Sequence, residues 1–175
     1  MPEPSGTPKE DAPVSAAGFD FDTTADQARQ SCEGAGKTWT SSGQDAFCSG
    51  AAKSLGFDAQ VKLLFCDGKV CRISIERPPS ENWWASLSQL MDVLTKKYGR
   101  PSSADAGVPP ECQKDPAFMD CLEASKVFLH YEWRWPSQTL ALTIGKPKGA
   151  QQPKFSLRYS QANAKKKGPI NDSAL

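Results

Sequence analysis

The chain has 175 residues, enough for one domain with a buried core. Its 21 basic and 20 acidic residues nearly balance, which excludes a chain-wide basic field for nucleic acid and an acidic field for basic partners. No apolar run approaches the roughly 20 residues that span a bilayer, and the N-terminus lacks the charged-then-apolar pattern of a secretion signal.

The cysteines predict where the protein is found. None belongs to a C-x-x-C pair and His130 is the only histidine, so the spacing does not match that of a zinc site. An even number of cysteines predicts a disulfide framework, which forms in an oxidising compartment. We therefore expect a periplasmic or extracellular protein whose export signal has been removed ahead of Met1. The six are Cys32, Cys48, Cys66, Cys71, Cys112 and Cys121.

Composition divides the chain into one domain and two tails. Residues 1–17 contain four prolines and almost no apolar side chains, which predicts a disordered linker. Such a linker is typical of a lipoprotein tethered to the outer membrane through an acylated cysteine. That cysteine is not in the chain, and an ordinary unstructured terminus is the alternative. Residues 18–161 are predicted to form a single domain, and residues 162–175 a disordered polar tail.

The first predicted element is a short helix. Thr24 can cap it, with Gln27 three residues later completing a capping box. Ala28 and Cys32 follow at helical spacing, but the apolar stripe is thin. A disulfide between Cys32 and Cys48 would attach this weak helix to the next segment.

The segments AQVKLLF and VCRISIE alternate in polarity and predict a β-hairpin closed by a disulfide. A turn at Asp67-Gly68 would pair Cys66 with Lys69, whereas a turn at Gly68-Lys69 would pair Cys66 with Cys71. Only the second register places the two cysteines directly opposite each other, so we favour it.

A strong amphipathic helix is expected next, with Ser80 as its cap and Gly99 after its end. Trp83 falls off the apolar stripe and is expected to be half-exposed. Residues 100–125 are then predicted to be a long loop cross-linked by Cys112 and Cys121. The apolar stripe of the helix comprises Trp84, Leu87, Leu90, Met91, Leu94 and Tyr98.

The last third predicts three strands, KVFLHYEWRW, QTLALTIG and KFSLRYS. A tight turn at Pro136-Ser137 would pair Trp133 with Leu140. The predicted fold class is therefore α+β, with an antiparallel sheet of about five strands covered on one face by two helices. The order is α-β-β-α-β-β-β, with disulfide cross-links.

No catalytic, metal-binding or cofactor-binding residue is predicted. His130 stands alone on the outer side of a strand, and neither a GxSxG motif nor a glycine-rich phosphate loop occurs. Tyr131, Trp133 and Trp135 alternate along that strand and form either core or a binding face. The candidate partner surface comprises Trp83, His130, Glu132, Arg134, Lys146 and Lys148.

The opening GFDFDTTADQA, with Gly18 ahead of the Thr24–Gln27 cap, resembles that of small α+β envelope modules of the BamE and β-lactamase-inhibitor-protein type. The resemblance covers residues 18–77. It implies a non-enzymatic scaffold or inhibitor that presents a sheet face or loops to another protein, and it carries no functional residue across.

We therefore expect an exported bacterial envelope protein that acts as a protein-binding or assembly module and has another envelope protein as its partner. The alternative is a secreted or periplasmic inhibitor of a hydrolase, whose disulfide-linked loop enters the target's site. A pull-down from envelope extract separates the two by the partner that is recovered.

Overall fold

The computed structural model describes Pro8 and residues 11–52, 57–77 and 82–164. Within those residues the chain forms three α-helices and two antiparallel sheets. The helices are α1 (Ala25–Gly34), α2 (Trp83–Tyr98) and α3 (Ala117–Glu123), and a short 3-10 helix spans Pro110–Cys112. The strands are β1 (Ser15–Ala16), β2 (Phe19–Asp20), β3 (Thr38–Ser42), β4 (Asp45–Ala52), β5 (Phe57–Cys66), β6 (Lys69–Arg77), β7 (Ser103–Gly107), β8 (Phe128–Trp135), β9 (Gln138–Gly145) and β10 (Lys154–Gln161).

The prediction of a sheet of about five strands under two helices is wrong. Within the described ranges the main sheet has eight antiparallel strands, in the order β3-β4-β5-β6-β10-β9-β8-β7, and β1 and β2 form a separate ribbon. Strands β3, β4 and β7 are absent from the predicted order, as is helix α3. Two of the missed strands are the sheet edges, where polar and small residues give no apolar alternation to detect.

The same order of elements occurs twice along the chain. Helix α1 precedes the meander β3 to β6, and helix α2 precedes β7 to β10, with α3 and the 3-10 helix inserted after β7. The last strands of the two halves, β6 and β10, pair antiparallel at the centre of the sheet, with Leu157 opposite Ile75. This pairing places residues from both halves side by side.

Helix α1 forms as predicted. The Thr24 hydroxyl accepts a hydrogen bond from the Gln27 backbone, and the Gln27 side chain accepts one from the Thr24 backbone. Ala28 and Cys32 are its buried residues, and a disulfide joins Cys32 to Cys48 in β4. The bond therefore holds a helix that has little apolar surface of its own.

The disulfide of the β5–β6 hairpin forms, but the preferred register is wrong. Cys66 pairs with Lys69, and both turn residues, Asp67 and Gly68, have positive φ, which is typical of a type I′ turn. A β-bulge opposite Leu64 and Phe65 then brings Cys71 to a Cα–Cα distance of 5.7 Å from Cys66. Because of the bulge, Cys71 packs with Leu64 and Ala164, away from the main core.

Helix α2 covers the sheet, but its first turn is rotated from the prediction. Trp83 is only 1 % exposed, whereas Trp84 is partly buried beside Phe118. The predicted cap Ser80 lies outside the described residues. The Asp115 carboxylate accepts hydrogen bonds from the backbone of Trp84 and Ala85 at 3.0 and 3.3 Å, and so caps the helix from a distant segment.

The predicted loop at residues 100–125 is structured. It contains the edge strand β7, the 3-10 helix and α3, and the disulfide Cys112–Cys121 forms. Phe118 and Leu122 lie one helical turn apart in α3 and are completely buried. They anchor this segment in the core.

The final meander is confirmed with its register, because Trp133 pairs with Leu140 and Tyr131 with Leu142. The ordered structure extends beyond the predicted domain ends. Strand β1 lies within residues 1–17, and Ala164 packs into a small apolar cluster. Residues 1–7, 9–10 and 165–175 of the two predicted tails lie outside the described residues.

Candidate functional site

The main sheet has one face that helices cover and one face that no helix of the described residues covers. The buried residues of α1, α2 and α3 all belong to a single core on one face. In the described structure no helix lies on the other face, which we call the open face. Its side chains include Thr40, Phe47, Lys62, Arg72, Ser74, Glu76, Arg158, Thr143, Ala141, His130, Glu132, Arg134 and Ser103.

The centre of the open face is cationic. Lys62, Ser74 and Arg158 are direct neighbours across β5, β6 and β10. Arg72 lies beside them, and its guanidinium donates to the Ser160 hydroxyl at 3.1 Å and to the Ala164 carbonyl at 2.6 Å. Partial burial, followed by the charge of Arg158, lowers the pKa of Arg72, and the carboxylate of Asp45 acts against this shift. Three cations are therefore arranged around a buried serine.

His130, Glu132 and Arg134 lie together on the open face, as predicted. The Glu132 carboxylate contacts His130 Nε2 at 2.9 Å and accepts a hydrogen bond from Arg134 Nε at 2.7 Å. The other His130 ring nitrogen contacts the Thr143 hydroxyl at 2.8 Å, and Arg134 also donates to the Ser103 hydroxyl at 3.1 Å. The network fixes the orientation of these side chains on β7, β8 and β9.

The pKa of Glu132 responds to this network. Partial burial acts to raise it, but the hydrogen bonds and charges of His130 and Arg134 outweigh burial and lower the pKa below its ordinary value. A carboxylate whose pKa is depressed on folding stabilises the fold above its unfolded pKa, and the contribution disappears as pH falls through the folded pKa.

We expect Glu132→Gln to flatten the acid side of the stability profile. Between pH 5 and the folded pKa of Glu132, the wild type should lose at most about 1 kcal/mol more than the variant, since the pair is partly solvated. Urea denaturation at a series of pH values measures this. Arg134→Gln removes one partner and should flatten the profile in part. Equal profiles for Glu132→Gln and the wild type would contradict the prediction.

The remaining residues of the candidate surface are placed differently. Trp83 is buried, so the expectation that it is half-exposed is wrong. Its ring lies beneath the Arg77 guanidinium at 4.9 Å and meets Phe155 edge to face. Lys146 Nζ donates to the Glu123 carbonyl at 3.3 Å, and Lys148 is exposed after β9.

The aromatic strand belongs to the core. Tyr131 and Trp133 are buried under α2, and Trp133 donates its indole N–H to the Gly99 carbonyl at 2.9 Å. Trp135 is partly buried and meets Tyr98 edge to face. The alternating aromatic side chains are therefore part of the core and do not form a binding face.

All six cysteines of the chain are used as cross-links. Cys32, Cys48, Cys66, Cys71, Cys112 and Cys121 all lie in disulfides. Among the described residues, no three His, Cys, Asp or Glu side chains form a group able to hold a metal ion. In the same residues no helix is long and apolar enough to span a bilayer.

The predicted partner surface does not include Lys62, Arg72 and Arg158, although each lies on the polar side of an alternating strand. That polarity was the available signal. Their proximity depends on the pairing of β6 with β10, which joins segments about eighty residues apart in the sequence. Phe47 was missed because strand β4 was not predicted.

Comparisons with protein-family models, with curated proteins and with solved structures each give no match for this chain. The functional interpretation therefore rests on the geometry of the open face and on the chemistry of its side chains.

Proposed function

We propose that the chain is an exported, non-enzymatic binding module that recognises another protein through the open face. The observation that carries this proposal is the contrast between the two faces of the sheet. One face is buried under three helices, and the other presents a continuous row of side chains across all eight strands of the described sheet.

The size of the open face suits a protein partner. Eight strands about 4.8 Å apart, with side chains covering about 20 Å along them, give a surface of roughly 700 Å². Each partner contributes roughly 800 Å² to a standard protein–protein interface. The salt-bridged network around Glu132 holds charged side chains in one arrangement, which lowers the entropy lost on binding.

The three disulfides support export to the periplasm or beyond, because such bonds persist in oxidising compartments. An acylated cysteine ahead of the linker would tether the protein to the outer membrane. The resemblance to BamE-type envelope modules implies the same location. Inhibition of a hydrolase is the alternative role, but the disulfide-linked segment is anchored inward by Phe118 and Leu122.

Site-specific photo-crosslinking in intact cells tests the proposal. We expect Ala141→p-benzoylphenylalanine, at the centre of the open face, to give a discrete crosslinked product. The same substitution at Val93, which is exposed on α2, is the matched control and should give none. An envelope protein in the product supports the assembly role and a hydrolase supports the inhibitor role. Absent or equal crosslinking at the two positions contradicts recognition through the open face.

A further inference from the structure

A pocket of about 500 Å³ lies on the open face where β6 and β9 end and β8 and β10 begin. The residues of this pocket that matter for the argument are Glu76, Phe128, Thr143, Lys146, Lys154 and Arg158. We call it the Phe128 pocket. It continues directly into the cationic centre of the open face, because Arg158 belongs to both.

The Phe128 ring is held in place yet remains available for contact. It is 45 % exposed and stacks nearly parallel to the His130 ring, with centroids 6.5 Å apart. Gly145 makes room for it, since a Cβ atom at that position would lie 3.3 Å from Phe128 Cδ2. A fixed and exposed aromatic ring offers contact area at a low cost in conformational entropy.

The charge around the pocket is unbalanced. Among the described residues that line the pocket, Lys146, Lys154 and Arg158 face a single carboxylate, that of Glu76. Lys146 is oriented by the Glu123 carbonyl at 3.3 Å. Lys154 and Arg158 form no ion pair with any described residue. The pocket therefore complements an anionic ligand.

We propose that the Phe128 pocket binds an acidic segment of the partner protein, in which Asp or Glu side chains flank an apolar residue. The carboxylates meet Lys154 and Arg158, and the apolar side chain packs on Phe128. This inference rests on the proposed function of the open face. A peptide suits the pocket better than a bare phosphate, because a phosphate makes no use of the exposed Phe128 ring.

The probe is an acetylated and amidated peptide, Gly-Asp-Leu-Glu-Phe-Asp-Gly, titrated into the isotopically labelled full chain and followed by NMR. We expect shifts of the amides of Phe128, Thr143 and Ser156, and weaker binding as salt is raised. A peptide with lysine in place of each acidic residue should give no shifts. Inorganic phosphate, titrated separately, should not reproduce the pattern.

Variants test which side chains carry the affinity. Phe128→Ala, and the double variant Lys154→Ala/Arg158→Ala, should each weaken binding of the acidic peptide by about tenfold or more. Lys97→Ala, at an exposed lysine of α2 outside the pocket lining, is the matched control and should leave affinity unchanged. Thermal unfolding of each variant checks that the fold is retained.

Three results would overturn the inference: no shifts with the acidic peptide, equal binding by phosphate, or an equal loss of affinity in Lys97→Ala. The crosslink from position 141 shows whether the pocket alone is rejected or the proposed function of the open face as well. A crosslink that persists in Lys154→Ala/Arg158→Ala leaves the open face as the binding surface and rejects the pocket. A wild-type chain without the crosslink rejects the proposed function itself.

Discussion

Trp83→Ala is expected to lower the free energy of unfolding by about 3–5 kcal/mol, the range for a large aromatic truncated in a core. The side chain is 1 % exposed, and its ring centroid lies 5.0 Å from that of Phe155. Its removal leaves a cavity between α2 and the centre of the sheet, and strands held in register cannot close it. Equilibrium urea denaturation of the wild type and the variant measures the loss.

The neighbouring tryptophan provides a matched control. Trp84 is partly buried and packs on Phe118, with ring centroids 5.2 Å apart. Trp84→Ala should therefore cost less, about 1–2 kcal/mol. The two variants lose the same side chain at adjacent positions, so their difference reports the rotation of the helix. A larger loss for Trp84→Ala would mean that the helix is rotated as the sequence pattern predicted.

The rotation of α2 illustrates a limit of periodicity. The pattern included Trp84, three residues before Leu87, and left out Trp83, although Trp83 lies four residues before Leu87 and also has helical spacing. At the first turn no preceding residues of the helix constrain the choice. The contacts that decide it come from elsewhere. Arg77 and Phe155 cover Trp83, while Asp115 fixes the helix start. None of these partners is identifiable from the local sequence.

The sequence predicts some strands better than others, and the reason is how each strand is buried. Strands β8, β9 and β10 are buried on one side only, so apolar and polar residues alternate along them. The two-residue turn at Pro136-Ser137 sets the register of β8 and β9. Strand β3, TWTSS, lies at an edge with most residues exposed. Strand β4, DAFCSGAA, has small residues where a strand normally has branched ones.

Only the part of the candidate site that lies within a single strand was predicted from the sequence. His130, Glu132 and Arg134 occupy alternate positions of one strand, so their shared face follows from the pattern. The cationic centre requires β6 to pair with β10. The Phe128 pocket requires the termini of four strands to lie side by side. Both depend on sheet topology, which strand patterns do not specify.

Removing the disulfide between α1 and β4 is expected to have the second largest effect. The double variant Cys32→Ala/Cys48→Ala opens a link with a sequence separation of 16 residues, and the chain-entropy model gives a loss of about 3 kcal/mol for a loop of this length. Only Ala28 and Cys32 of α1 are buried, so the helix has little else to hold it against the sheet. Urea denaturation gives the global loss.

Hydrogen exchange shows whether the Cys32–Cys48 disulfide stabilises α1 locally or the whole fold equally. In Cys32→Ala/Cys48→Ala the amides of α1 should exchange faster than those of β9 and β10, because the helix loses its attachment before the sheet unfolds. The matched control is Cys66→Ala/Cys71→Ala, whose link has a sequence separation of 5 residues and whose loss should be smaller, about 2 kcal/mol. Uniform protection of α1 and the sheet in the first variant would show that apolar packing, and not the disulfide, holds the helix in place.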